Sequence, residues 1–215
     1  EISTNVTITF TEEVIDFDAS DLVVSHGILT DFSTGDNNSF SATFTAALNV
    51  ESTGFVFVTS AYTDLPGNQG RISAGTIAID TRSPAVTVDI VDESLDDGDR
   101  MSTVTFEFTE NISDFTADDV IVTNGELRDL IAVDGKTYTA TFFAQDGIAA
   151  TGAVSVETTY TDAAGNTGIG GSDSVTINTA NVGVTIAANS ESLSNAMAGT
   201  DVTFEFSEAV FGFDA

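Results

Sequence analysis

The sequence predicts an all-β chain of tandem antiparallel β-sandwich domains, one complete and two partial. Three observations carry this. Apolar and polar residues alternate along short runs such as Val104-Thr105-Phe106-Glu107-Phe108-Thr109, the pattern of a strand with one buried and one wet face. β-branched residues and phenylalanine fill those runs, while Gly, Asn and Asp fill the gaps between them. The chain also repeats itself at a constant offset: Phe17-Asp18-Ala19-Ser20-Asp21 returns as Phe115-Thr116-Ala117-Asp118-Asp119, and 115 − 17 = 98. Tyr62-Thr63-Asp64 returns as Tyr160-Thr161-Asp162 at the same spacing, and Phe10-Thr11-Glu12 returns as Phe108-Thr109-Glu110 and then as Phe206-Ser207-Glu208. Solenoid and propeller units run about 20–50 residues, so a period this long is a domain. The repeat divides the chain into 1–82, lacking its first strand, a complete unit at 83–180, and the N-terminal part of a third at 181–215.

The complete unit reads as seven strands near 85–91, 103–109, 119–123, 126–132, 137–144, 153–160 and 173–178. Tyr138-Thr139-Ala140-Thr141-Phe142, Val154-Ser155-Val156-Glu157 and Val175-Thr176-Ile177 all alternate. Asn124-Gly125 predicts a hairpin between the third and fourth strands, and Asp134-Gly135 a turn between the fourth and fifth. Ala163-Ala164-Gly165-Asn166 opens a loop before the last strand. Asp118-Asp119 after Phe115 reads as a capped turn. Alternation places Phe106, Phe108, Phe115, Phe142 and Tyr160 in the core and leaves Phe143 out of phase. Seven short strands with regular turns suggest two packed sheets.

Composition narrows the function. The chain carries 34 acidic residues against 5 basic ones, a formal charge of −29. That surface disfavours nucleic acid and anionic membranes and favours cations. There are no cysteines, and the single histidine, His26, stands beside Gly27 in a turn, so zinc and thiol chemistry are excluded. No run of about 18 apolar residues needed to span a bilayer is present, nor a signal peptide. Acid pairs are abundant, but a glycosidase pair needs a cleft, which small tandem sandwiches do not offer.

The strings Phe-x-Phe-Thr/Ser-Glu, Phe-x-x-x-Asp-hydrophobic-x-Val-x-x-Gly and Tyr-Thr-Asp-x-x-Gly-Asn resemble the bacterial Ig-like repeats of large surface adhesins, which are often type I-secreted, RTX-adhesin-like biofilm proteins. The resemblance covers the whole chain. It implies tandem immunoglobulin-like sandwiches, a stalk or adhesive role outside the cell, and calcium near domain junctions.

In a sandwich of that kind, loops gather at the two ends. Glu110, Asp162 and Asn166 then lie near Asp80, which leaves the preceding repeat, and together they supply the oxygen ligands that calcium takes. The equivalents in the first repeat are Glu12, Asp64 and Asn68, and the next linker offers Asn178, a weaker ligand. Asp162 and Asn166 read equally as turn formers, and Glu110 as a wet strand end. A second acidic stretch, Asp92-Glu93-Ser94-Leu95-Asp96-Asp97-Gly98-Asp99, reads as a loose calcium loop built on Asp92, Asp96 and Asp99, or as a solvated loop. The third unit has Ser190–Met197 at the same place, so the fold does not need that charge. The leading expectation is a non-enzymatic structural link, with neighbouring repeats as its partners and surface glycans or proteins contacted through other domains. The alternatives are a carbohydrate- or protein-binding module, which predicts an exposed aromatic strip, and an accessory domain of a secreted hydrolase.

Overall fold

The structure is a computed structural model that describes residues 2–112, 114–196 and 198–214. Two compact units make up the chain. One comprises Glu1–Val86, Phe108–Phe115 and Glu157–Gly170, the other Thr87–Glu107, Thr116–Val156 and Gly171–Ala215. The division runs through the second repeat rather than along the linker.

The first repeat contains β1 (Ser3–Thr9), β2 (Val14–Ile15), β3 (Leu22–Val24), β4 (Gly27–Asp36), β5 (Ser39–Ala46), β6 (Glu51–Val58), β7 (Thr63–Asp64) and β8 (Ser73–Asp80). They form two three-stranded antiparallel sheets, β1-β5-β4 and β3-β6-β8, and the short pair β2-β7. Phe44 from one sheet and Val56 and Ile79 from the other share a buried cluster, so the sheets face each other across a common core. At one end Phe10, Phe17, Phe40 and Tyr62 meet edge to face, with Phe10–Phe17 centroids 4.9 Å apart. Such pairs add about 0.5–1.5 kcal/mol each beyond area burial.

The second repeat follows with β9 (Val86–Ile90), β10 (Ser94–Asp96), β11 (Met101–Phe108), β12 (Val120–Thr123), β13 (Gly125–Ala132), β14 (Thr137–Ala144), β15 (Ala149–Val156) and β16 (Gly171–Asn178). Its sheets are β13-β14-β11-β9 and β10-β16-β15-β12. Val104, Phe106, Phe142 and Val154 are fully buried, as alternation requires. The third repeat supplies the antiparallel pair β17 (Val184–Ala188) and β18 (Val202–Phe206). The ring pair recurs there as Phe206–Phe213 at 4.9 Å, matching Phe108–Phe115 at 5.0 Å. Met197, at the end of the segment compared with the acidic loop, lies outside the described residues.

Three expectations are corrected. Asn124-Gly125 does not close a hairpin, because β12 pairs with β15 and β13 with β14. Asn124 adopts φ 55° and turns the chain from one sheet to the other, while its side-chain amide donates to the Thr151 carbonyl at 2.8 Å. A Cβ at position 125 would lie 2.4 Å from the Phe142 ring, so glycine is needed for close approach rather than for a tight reversal. The strand expected at 153–160 is β15, which begins earlier and stops at Val156. Ala149, Ala150 and Gly152 pair normally with β16 but carry no large side chains, so their alternation is invisible in the sequence. The repeat also has an eighth strand: β10 pairs parallel with β16 and seats Leu95, 2% exposed, in the core.

Candidate metal centre

The centre is built where Asp80 ends β8 and meets two loops of the second repeat, all within one compact unit. Asp162 is fixed by a turn: its Oδ1 accepts from the backbone N–H of Ala164 at 2.8 Å and of Asn166 at 2.9 Å. Gly165 takes φ 87° to complete that turn. Isolated bridging to Ile112 holds Asp162 against the segment that carries Glu110. Beneath them Tyr160, fully buried, donates its hydroxyl to the carbonyls of Ile169 at 2.7 Å and Pro84 at 3.3 Å. Burial and the Glu110 charge push that hydroxyl up to about 12.

One carboxylate oxygen from each of Asp80, Glu110 and Asp162 lies within 4.8 Å of the others. At that range each ionised pair repels by about 3.5 kcal/mol or more at an effective dielectric near 20. A hydrogen bond to a charged group returns about 1.5–3 kcal/mol; Asp162 accepts three, whereas Glu110 Oε1 accepts none among the described residues, so the turn leaves the repulsion at Glu110 without an offset. Glu110 Oε1 is buried and has no hydrogen-bond partner among the described residues. Burial pushes the Glu110 carboxyl above the ordinary glutamate range; Asp162, Asp80 and Glu51 push the same way, and Arg82 opposes them. An orphaned buried oxygen beside two more carboxylates is a donor set of hard oxygens only, as calcium takes. Asn166, the fourth residue expected here, bonds within the group. Its Nδ2 donates to Asp162 Oδ2 at 2.8 Å and to Asp80 Oδ1 at 3.4 Å, so it clamps two carboxylates together.

The other expected residues are placed as follows. Asp64 and Asn68 repeat the turn, with Asn68 donating from its backbone and side chain to Asp64, each at 2.6 Å. Those bonds hold the Asp64 carboxyl below its ordinary range. Glu12 is exposed and joins no carboxylate group of ligating geometry among the described residues. Nor do Asp92, Asp96 and Asp99. Asp96 Oδ1 instead accepts from the backbone of Gly98 at 2.8 Å and Asp99 at 3.0 Å, an ordinary acidic turn following β10.

Sequence reasoning missed the clasp that pins the linker. Thr81 Oγ1 donates to the Ala47 carbonyl at 2.8 Å and accepts from the Val50 N–H at 3.0 Å. Thr179 repeats this with Gln145 and Ile148. The 98-residue offset is the signal that would have found it. Phe143, out of phase as expected, has the Arg100 and Arg128 guanidinium groups over its ring, 5.0 and 4.3 Å from the centroid.

Residues 1–79 and 80–180 each match the bacterial Ig-like domain family, and the chain belongs to that family. No curated protein matches it. Among solved structures it is similar to the Escherichia coli adhesin FdeC, at 13% identity over 96% of this chain and 69% of that one, with a TM-score of 0.38. It is similar also to InvD of Yersinia pseudotuberculosis, at 19% identity, 92% and 61% coverage and a TM-score of 0.36. An endo-fucoidan hydrolase of glycoside hydrolase family 107, MfFcnA4, follows at 7% identity with a TM-score of 0.26; this chain covers 26% of it. The chain thus spans less than two thirds of the last two.

Proposed function

We propose that the chain is a non-enzymatic structural link in a large secreted or cell-surface bacterial protein, and that calcium held by Asp80, Glu110 and Asp162 stiffens the passage from one repeat to the next. The observation that carries the reading is the buried, unpartnered Glu110 Oε1 beside the Asp80 and Asp162 carboxylates. Family membership and the 98-residue repeat support the role of a link that carries a distal binding region away from the cell. An adhesive or biofilm setting and type I export belong to the same reading.

These residues each have a separate task. Asp162 is preorganised by its turn, Glu110 brings an oxygen unsatisfied by protein, and Asp80 ties the end of β8 to both. Asn166 holds two of the carboxylates before the ion arrives. Extracellular modules bind calcium near 10⁻⁴ to 10⁻³ M. At ten times the dissociation constant, binding adds only about 1.4 kcal/mol. The main consequence is therefore mechanical: the ion limits swinging about Asp80–Pro84.

The test is small-angle scattering and thermal melting of the chain with calcium and with chelator. Calcium should raise the melting temperature and narrow the distribution of dimensions, and Asp162→Ala should abolish both responses. Identical behaviour with and without calcium would reject the calcium joint.

A further inference from the structure

Strand β6 carries two aromatic rings that the core does not use. Its buried residues are Gly54, Val56 and Val58, so Phe55 and Phe57 stand on the outer face of the sheet β3-β6-β8. Phe55 is 39% exposed and Phe57 is half-buried. The edge strand β3 sets Val23, 49% exposed, directly across from Phe57, and β8 sets Ala74 and Thr76 opposite Phe57 and Phe55. Among the described residues neither ring meets another aromatic ring, whereas Phe10, Phe17, Phe40 and Tyr62 all do. Two positions apart on one strand, the rings rise about 7 Å from each other along the sheet.

The second repeat shows that the fold asks for no rings here. At the 98-residue offset, Ala153 and Ser155 stand where Phe55 and Phe57 do, and Ser172 and Ser174 where Ala74 and Thr76 do. That face is open too, with Ile121 50% exposed, although β10 is in place at the edge of its sheet. Openness of this face therefore belongs to the complete fold, and the rings are an addition of the first repeat.

Charge and area select the ligand. The chain has 34 acidic residues, yet Val23, Thr53, Phe55, Phe57, Ala74 and Thr76 form an uncharged outer face; the first carboxylate on this side of β6 is Glu51, at the start of the strand. A cation or a basic protein surface is matched by carboxylates, which this strip lacks. Val23, Phe55 and Phe57 together expose on the order of 200 Å² of apolar surface, about a quarter of the ~800 Å² that each partner buries in a stable protein interface. A second copy also brings a second charge of −29, which repels the first. The strip suits a narrow, uncharged ligand with an apolar side and a polar rim. An equatorially linked pyranose chain has that character: its C–H faces lie on aromatic rings and its hydroxyl rim meets Thr53 and Thr76.

We propose that the outer face of β3-β6-β8 is a binding site for a neutral, extended, β-linked glycan chain, with Phe55 and Phe57 as its stacking platform. Val23 flanks the rings, and the Thr53 and Thr76 hydroxyls bond the sugar rim. The site needs neither calcium nor the passage between repeats, and it makes the first repeat a point of contact as well as a spacer.

Titration of cellohexaose and of chitohexaose into the isotopically labelled full chain, in chelator, tests the site. Saturable shifts of the Val23, Phe55, Phe57 and Thr76 amides are expected. A β-linked oligomannuronate of equal length should bind at least about threefold more weakly, because its carboxylates approach a chain of charge −29. The double variant Phe55→Ala, Phe57→Ser should weaken binding about tenfold or more, each ring contributing about threefold to tenfold. It carries the residues that the second repeat already has, so it is expected to fold, and unchanged core amide positions check this. Phe57→Tyr keeps a ring and should bind within about threefold of the parent. Absence of saturable shifts with both neutral sugars, or equal binding by the double variant, would overturn the site. Equal binding of the oligomannuronate would overturn the assignment to a neutral chain. Concentration-dependent shifts of the same amides without sugar would identify a second copy as the occupant and overturn the glycan.

Discussion

The first and second repeats share a pattern, yet among the described residues only the second gathers three carboxylates. Asp64 and Asp162 stand in the same turn, each held by an asparagine four residues on. Glu12 and Glu110 both follow a Phe-Thr pair. Glu12 is exposed, whereas Glu110 is half-buried beside Asp80, which comes from the repeat before. The site is therefore not a property of one repeat. The turn is local, and the third carboxylate and the burial come from the passage between repeats.

The largest expected effect tests packing. Phe106→Ala removes a ring with no exposure and should cost about 3–5 kcal/mol, read by denaturant unfolding. Ile8→Ala, at the equivalent but half-buried position, should cost less than half as much. Equal losses would show that the two cores are closed to the same degree. Next, Tyr160→Phe should cost about 1–2 kcal/mol, because it removes a buried hydroxyl and its bonds to the Ile169 and Pro84 carbonyls.

Calcium gives a smaller effect. Asp162→Ala should remove the approximately 1.4 kcal/mol gained at ten times the dissociation constant, and Asp64→Ala should retain it. Matching losses would mean that the first repeat holds an ion as well without a third carboxylate.

The smallest effect is that of pH. The folded carboxyl of Glu110 lies above its unfolded value, so the folded chain binds its proton more readily. That stability is fully present below the ordinary glutamate pKa and is lost as pH rises through the raised value. In chelator, melting curves of the parent should weaken across that window, and Glu110→Gln should flatten it. Calcium competes with the same proton, so its affinity should fall as pH drops through the window. A Glu110→Gln profile identical to the parent's would remove Glu110 as the cause.

Much of the fold was legible because side-chain size follows the alternation. Val104, Phe106 and Phe142 alternate and are buried. β10 and the start of β15 were not legible, since Ser94–Asp96 looks like part of an acidic loop and Ala149–Gly152 offers no size contrast. Asn124-Gly125 misled because a left-handed asparagine followed by glycine suits a sheet-to-sheet crossing as well as a hairpin. For the centre, the constant offset and the order of strands brought Asp80, Glu110 and Asp162 together. The donor role of Asn166 was hidden, because a side-chain amide reads equally as ligand or clamp. The acidic run at Asp92–Asp99 shows the limit of charge counting: Asp96 is spent on backbone N–H groups.

The central claim is that carboxylates from the end of one repeat and the loops of the next hold one ion together. Calorimetric titration of calcium into the parent chain and Asp80→Ala tests it most directly. The account predicts saturable binding of about millimolar strength or tighter in the parent, lost in the variant. Binding that survives the loss of Asp80 unchanged would contradict it.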